Sequence, residues 1–558
     1  MASMSDARQV ARQRLARERG FTVKNWGGRI PIAMIYPNSY YIGMSNLAMQ
    51  TVYSLFNAYE EIVCERAFYD PPAKGGPRGA GSAGQHPAPV VSMESQRALG
   101  DFAVLAFTLS YEFDYFNLVQ CLRAAGIPLR AEQRDERHPL VIAGGACMLT
   151  NPAGVAPFLD AAIIGEGEEV IPGLVGAWQD GLYGGRQELL EEMSRIPGIY
   201  VPQLPPAFGA VERQYVHDIA STEAYSTVLT EDTELSDMTL VECARGCGRG
   251  CRFCIAGYVF RPPRYRPVDQ LLGIIEHSLQ HSPKVGLLGA AVADHPDLTE
   301  LAVGAQQLGA RVSISSLRVD NLNRNVLAAI AAGGTKTVTV APEAGSERLR
   351  LAINKGVTEE QVLDGASMVG ESGAQRFKLY FMCALPGEED DDLYEMARLG
   401  NGIKERLDAA GHGTRVVMAV SPLVPKPWTA YQYQPAIDPT LAKQRIAVLQ
   451  QHLKPGIELR SDSPLTARVD DVLSRADARL ADMLEWMPDD SLSTYRRAIK
   501  DFGLDGPFPW STEKPPWHIV DVGMTERFLL REMDKHERLR RTIPCPPPEV
   551  GCKLCGVC

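Results

Sequence analysis

The feature that most restricts the fold is an alternation of strand-length apolar runs with helical periods, which occurs in two series. In the first, Ile30 to Pro37 reads as a strand and about Asn46 to Ala58 as a helix. Phe102 to Ser110 is then a buried strand, Tyr115 to Ala125 a helix, Pro139 to Ala143 a strand, and Ala161 to Ile164 a strand ending at Gly165-Glu166-Gly167-Glu168. Strands joined through helices run parallel, so this part predicts an open, doubly wound sheet with helices on both faces. A stretch dense in Gly, Pro, Ala and Ser between Pro71 and Pro89 marks a flexible surface loop. The second series starts with Met238 to Glu242 and continues with strands near 285–289, 311–315, 336–341, 376–383 and 415–420. Six strands in βα repeats predict a partial or complete parallel barrel. Past Pro427 the alternation stops, and helical segments around 439–453, 466–484 and 490–501 lead to a Cys-rich end. The expected organisation is an α/β chain with a Rossmann-like sheet over 1–205, a linker over 206–237, a partial (β/α)6 barrel over 238–435, and a mostly helical extension with a Cys-rich tail over 436–558.

At 558 residues the chain is long enough for about three to five domains, which excludes a single small binding module. Lys plus Arg number 57 against 68 Asp plus Glu, a net charge of −11 that offers no global attraction to phosphate backbones, although a local basic patch could still bind them. Arg8, Arg12, Arg14, Arg17 and Arg19 are interrupted by Asp6 and Glu18 and followed by no apolar signal core, which describes a solvated first helix. The longest apolar stretches, 102–109 and 153–165, are too short or too interrupted to span a bilayer. A soluble, cytoplasmic protein with no membrane partner is expected. In that compartment its twelve cysteines are reduced, and metal ligation or catalysis is favoured over disulfides.

Directly after the strand ending at Glu242 stands Cys243-Ala244-Arg245-Gly246-Cys247-Gly248-Arg249-Gly250-Cys251-Arg252-Phe253-Cys254. Cys247, Cys251 and Cys254 form a C-x3-C-x2-C set, and Gly246, Gly248 and Gly250 permit the tight loop that three thiolates need to wrap one iron–sulfur cube. The fourth iron is left open for a substrate, as in catalytic rather than structural zinc sites. Phe253 would shield the cluster from water. A zinc knuckle or structural cluster is the alternative, but zinc sites usually take four ligands in two separated pairs. Cys243 precedes the set and breaks its spacing, which makes it a strand-end core residue.

This motif after a first barrel strand resembles the radical S-adenosylmethionine (SAM) superfamily. The resemblance implies a 4Fe-4S cluster whose open iron chelates SAM, reductive cleavage of the S–C5′ bond, and a 5′-deoxyadenosyl radical that takes hydrogen from an unreactive carbon. Where the superfamily's second strand commonly ends in Gly-Gly-Glu, this chain has Gly286-Leu287-Leu288-Gly289-Ala290-Ala291, which leaves Gly289 and Ala290 near the cofactor and no acid. That role can pass to Glu343 in Ala341-Pro342-Glu343-Ala344-Gly345-Ser346-Glu347, which resembles the family's Glu-Ser-Gly-Ser-Glu segment, with Asn354-Lys355-Gly356 as a second match. Ser315, Ser316, Arg318 and Asp320 follow the third strand, where ribose and carboxylate would lie. Leu379 to Glu388 and Val420 to Pro427 match late-barrel segments. Within the first of these, Cys383 is either a radical or proton donor or, more simply, a small buried strand residue. Asp294-His295-Pro296 offers acid–base groups, or a loop-capping Asp with an exposed His.

Residues 30–172 resemble the amino-terminal cobalamin-binding sheet of many such enzymes. Ser110 in Leu109-Ser110-Tyr111 falls at its Ser-x-Leu-type turn, Gly144 and Gly145 at its Gly-Gly, and Ile163 to Glu168 at its closing strand. The departure is Asn38-Ser39-Tyr40-Tyr41-Ile42-Gly43, which stands in place of Asp-x-His-x-x-Gly and removes the cobalt-ligating histidine. Either cobalamin binds without a protein lower ligand or the sheet binds substrate instead. At the carboxyl end Cys545, Cys552, Cys555 and Cys558 form C-x6-C-x2-C-x2-C, with Pro546, Pro547 and Pro548 stiffening the first spacer. A second iron–sulfur cluster, a zinc site and redox-active thiols all fit this set.

The whole is similar to cobalamin-domain-type radical SAM proteins with a Cys-rich tail. The activity implied is functionalisation of an unactivated carbon, by methyl transfer if cobalamin is bound, with flavodoxin or ferredoxin as electron donor and a small-molecule, peptide or RNA substrate. Sulfur insertion or methylthiolation through a tail cluster is a second expectation, and a non-catalytic iron–sulfur carrier a third.

Overall fold

The computed structural model describes residues 3–70, 89–205, 209–314, 316–435, 437–506, 514–546 and 550–558. Residues 71–88 of the expected surface loop, Ser315, Pro547 and Pro548 lie outside the described residues. The chain forms two compact units, one of Met1–His217, Tyr225–Asp237 and Val472–Gly523, the other of Asp218–Ala224, Met238–Asp471 and Met524–Cys558. Residues 436–558 therefore divide between the units and form none of their own.

In the first unit the strands are β1 (Ile30–Tyr36), β2 (Ile62–Phe68), β3 (Val104–Thr108), β4 (Leu140–Gly144), β5 (Ala161–Ile163), β6 (Ile199–Tyr200) and β7 (Val211–Glu212). β1 to β6 make one sheet in the order β2-β1-β3-β4-β5-β6, parallel except for the β5–β6 pairing. This is the doubly wound arrangement expected, in the order that changes direction between β1 and β3. The sequence reading did not include β2, whose apolar run is broken by Glu65 and Arg66. Both are buried, and the Arg66 guanidinium is fully enclosed by Glu18 at 2.6 Å and Glu94 at 2.7 Å. Such paired charge is tolerated in a core and hides the strand from a hydropathy pattern. Phe56 and Trp178, stacked at 6.0 Å, anchor the helices Leu47–Asn57 and Gly167–Gly181 in the core on one side of the sheet. The carboxyl-terminal piece joins the same unit, with Asn151 Nδ2 donating to the carbonyls of Ser474 (3.1 Å) and Ala476 (2.9 Å), and Arg130 paired with Asp482 at 2.7 Å.

The second unit contains β8 (Thr239–Arg245), β9 (Arg264–Tyr265), β10 (Lys284–Gly289), β11 (Arg311–Ile314), β12 (Thr337–Glu343), β13 (Arg376–Cys383), β14 (Arg415–Pro422) and β15 (Ile457–Ser461). Two four-stranded sheets, β11-β10-β8-β9 and β12-β13-β14-β15, are bridged in parallel by Leu317 and Val340. All six expected barrel strands are present, parallel and in βα succession. The alternation continues beyond them, because the helix Pro439–His452 leads into β15, parallel to β14. β15 is a largely exposed edge strand, Ile-Glu-Leu-Arg-Ser, with too little apolar content to read as one.

The stretch expected as a linker is bonded into each unit by itself. Gln214 exchanges backbone hydrogen bonds with Ile164 and Glu166 in the first, where β7 also pairs with β16 (Val520–Asp521). In the second, Glu242 N–H donates to Ala224 O at 2.9 Å.

Candidate active site

Cys247, Cys251 and Cys254 lie on the loop that leaves the carboxyl end of β8. Gly246 turns this loop with φ +73°, and a Cβ there would sit 2.1 Å from Phe260 O and 2.6 Å from Pro262 O. No residue with a side chain fits that close approach. Cys251 is buried, while Cys247 and Cys254 are half-buried. Burial pushes the Cys247 thiol up to about 11, and Cys254 to about 12, with Cys251 adding to both shifts. The thiols would have to shed their protons on binding metal. Among the described residues no three His, Cys, Asp or Glu side chains lie close enough together to hold a single metal ion.

The loop is fastened by its own arginines. Arg252, fully buried, donates to the carbonyls of Leu351 (3.2 Å), Ala352 and Arg540 (2.7 Å) and pairs with the equally buried Glu532 at 3.3 Å. Asn354 clasps the same loop, its Nδ2 donating to Gly250 O at 3.0 Å and to Thr542 O at 3.2 Å. Arg249 makes a bidentate pair with Asp294, at 2.9 and 2.7 Å. Sequence reasoning missed Arg249, Arg252, Glu532 and Thr542. Only the alternation of Gly and Arg through the motif hinted at the first two.

Charged groups gather at the ends of successive parallel strands. After β11, Arg318 makes a bidentate pair with Asp320 (3.0 and 2.9 Å) and lies 3.9 Å from Asp294. Glu343 ends β12 with a left-handed backbone, φ +72°, and its carboxylate accepts from Lys355 Nζ at 3.2 Å. Burial raises the Glu343 pKa, partly countered by Lys355 and Arg318. Lys355 is raised in turn, because Glu343 and then Cys251 outweigh its own burial. Glu343, Lys355 and Arg318 therefore share the surroundings of the cysteine loop, as sequence position suggested for Glu343 and Arg318. Gly289 closes β10 with room for only a marginal Cβ, 3.0 Å from Ala244 O, and Ala290 beyond it is exposed. Phe253 is half-exposed and Ser316 exposed.

Other expectations resolve into packing. His295 is buried, not exposed, with Nε2 2.9 Å from Arg266 O and Nδ1 accepting from Asp297 N–H at 3.1 Å. Neither ring nitrogen is available for acid–base work. Ser346 caps the helix Glu347–Ala352 by accepting from Leu349 N–H. Cys243 and Cys383 are fully buried, and burial pushes each thiol up to about 12.

In the first unit, Ser110, Gly144 and Gly145 lie together at the carboxyl ends of β3 and β4. Leu109 N–H donates to Gly144 O at 2.9 Å, and a Cβ on Gly145, at φ +106°, would sit 2.6 Å from Leu109 O. Beside them, at the β1/β3 change of direction, Asn46 Nδ2 donates to Ser110 Oγ at 3.3 Å and Asn38 Nδ2 to Asp114 Oδ1 at 2.7 Å. Burial lifts Asp114 to about 6. Tyr111 stacks on Phe113 beside this edge, at 5.2 Å, and Phe113 meets Tyr495 edge to face at 5.7 Å.

Residues 48–202 match the family described as radical SAM proteins, N-terminal, and residues 241–400 match the radical SAM superfamily. The chain belongs to the radical SAM superfamily. It is an enzyme of that superfamily, and the superfamily implies a 4Fe-4S cluster and SAM as cofactors. The second match begins within β8 and contains the cysteine loop, Arg318, Glu343 and Lys355.

An uncharacterised protein of Methanocaldococcus jannaschii is 28% identical over 463 residues, 82% of this chain and 90% of its own. The tRNA-2-methylthio-N(6)-dimethylallyladenosine synthase of Bdellovibrio bacteriovorus is 25% identical over 210 residues, 35% of this chain and 46% of its own. Among solved structures, the radical SAM methyltransferase TsrM of Kitasatospora setae, with cobalamin and a 4Fe-4S cluster bound, superposes with a TM-score of 0.51 at 13% identity. That match covers 86% of this chain and all of the other, and shows a shared fold. No helix among the described residues is long and apolar enough to cross a membrane.

Proposed function

We propose that this radical SAM enzyme transfers a methyl group to an unactivated carbon, with cobalamin in the crevice between β1 and β3. The observation that carries the reading is the polar cluster of Asn38, Asn46, Ser110 and Asp114 at the point where the strand order changes direction, the place where open parallel sheets take their ligands. The shared fold with a protein whose structure holds both cobalamin and a cluster supports it. When bound, the cluster would supply one electron to split S–C5′ of SAM, and cobalamin would carry the methyl group. Cys247, Cys251 and Cys254 hold the cluster in this reading, with Phe253 limiting water access. Glu343 receives the SAM amino group, while Arg318 and Lys355 balance its carboxylate. Gly289 and Ala290 leave room beside the β10 end. Gly144 and Gly145 would shape the cobalamin edge, and residues 38–43, which include no histidine, would offer cobalt no imidazole.

A flavodoxin- or ferredoxin-class protein is the proposed electron donor, and the substrate is a small molecule, peptide or RNA. Anaerobic protein reconstituted with iron, sulfide and cobalamin should bind cobalamin, with an EPR spectrum of its Co(II) state free of protein nitrogen splitting. Turnover should yield S-adenosylhomocysteine. Nitrogen splitting, or no binding at saturating cobalamin, contradicts the assignment. The partial similarity to a methylthio synthase favours methylthiolation as the second reading, and there the product would gain sulfur.

A further inference from the structure

The segment that carries the second group of cysteines is fastened to the first cysteine loop, from which it is remote in sequence. Cys555 is buried, Cys545 and Cys552 are half-buried and Cys558 is exposed, and all four thiols are free. They lie within electrostatic reach of one another and of Arg261. The Arg261 side chain is itself buried, 4% exposed, and donates to the Cys555 sulfur. Its guanidinium also rests on the rings of Tyr258 and Phe528, 5.5 and 5.6 Å from their centroids. A cation held out of water in this way is stabilised by anionic thiolates beside it.

Backbone bonds hold the segment in place. Cys545 N–H donates to Gly248 O at 2.8 Å, Thr525 N–H to Cys555 O at 2.9 Å, and Leu554 N–H to Cys552 Sγ at 3.5 Å. No apolar core holds this segment, because Ile543, Val550 and Leu554 are 73%, 71% and 56% exposed. A short segment with so little buried surface is ordinarily ordered by ligation. Spacing identifies the ligand class. Cys552, Cys555 and Cys558 repeat the C-x2-C-x2-C run of ferredoxins, and the separate Cys545-Pro546 repeats their Cys-Pro ligand, although here it precedes the run. Two separated pairs, the common zinc pattern, are not formed.

We propose that Cys545, Cys552, Cys555 and Cys558 bind an iron–sulfur cluster of their own, seated on Arg261 and against Gly248 of the first cysteine loop. The half-buried and exposed ligands Cys552 and Cys558 face outward, and Cys545 faces the first loop.

The full chain, reconstituted anaerobically with iron and sulfide, provides the test. Replacing Cys247, Cys251 and Cys254 by Ala should leave roughly half of the iron and sulfide, with a reduced-cluster EPR signal that does not respond to SAM. Because that variant leaves the tail intact, it reads the tail cluster whatever the fate of the proposed methyl transfer. Replacing Cys552, Cys555 and Cys558 should remove the other half and leave a signal that SAM changes. Arg261→Met, which keeps every ligand, should move the tail cluster's potential to a more negative value. Zinc found in the tail with no change in iron on its removal would overturn the proposal. So would loss of all iron from the first-loop variant.

Discussion

Replacing Glu532 by Gln should loosen the carboxyl-terminal segment from the cysteine loop. The carboxylate is fully buried 3.3 Å from the equally buried Arg252, and it also accepts from Thr542 Oγ1 and Lys535 Nζ at about 2.7–2.8 Å. Removing one partner of a buried pair costs about 3–5 kcal/mol because the other charge is left unpaired. A glutamine oxygen can keep one of the remaining bonds, so the low end, about 3 kcal/mol, is expected. At about 1.4 kcal/mol per tenfold, that is roughly a hundredfold rise in local opening. Hydrogen exchange of amides in residues 524–546, followed on cluster-free protein, reads it directly. Arg252→Met should cost more, since the carbonyls of Leu351, Ala352 and Arg540 lose their donor as well. The double variant Arg252→Met, Glu532→Leu should lose less than the sum, because an apolar pair leaves no stranded charge. Unchanged exchange in Glu532→Gln, or strict additivity in the double variant, would refute the role given to this pair.

Gly246→Ala should cost the first cluster its iron while the tail retains metal, because the new Cβ meets Phe260 O at 2.1 Å; full iron content with normal SAM cleavage would contradict this. Asp114 has a folded pKa of about 6 against an ordinary 3.8, so between those values the native state holds a proton that the unfolded chain has released. Stability should therefore fall by about 3 kcal/mol as pH rises from about 4 to 6 and level off above that. Asp114→Asn, which keeps the acceptor for Asn38, should abolish this slope in urea titrations, and an unaltered slope would exclude Asp114 as its source. Glu343→Gln should raise the SAM dissociation constant about tenfold, as loss of a charge-assisted bond does, with cluster content unchanged. Equal affinity would remove Glu343 from the SAM site.

The parts of the fold legible in the sequence were those with uninterrupted apolar runs. The six barrel strands carry such runs because helices cover them. β2 escaped notice because Glu65 and Arg66 sit in its middle, and the partners that satisfy them, Glu18 and Glu94 for Arg66 and Trp26 and Ser95 for Glu65, come from other segments. β15 escaped because an exposed edge needs little apolar surface. At the site, the C-x3-C-x2-C spacing was readable since three ligands fall within one loop. The pairing of Arg252 with Glu532 and the Asn354 clasp were not, because their partners are distant in the chain and only the fold joins them. His295 looked like an acid–base candidate from its neighbours in sequence, and burial against Arg266 O removes it.

The central claim, that Cys247, Cys251 and Cys254 carry the chemistry, is tested most directly by measuring 5′-deoxyadenosine from SAM after one-electron reduction. The account predicts formation by the reconstituted protein and none when all three residues are replaced by Ala, with tail metal still present. Equal formation by that triple variant would contradict it.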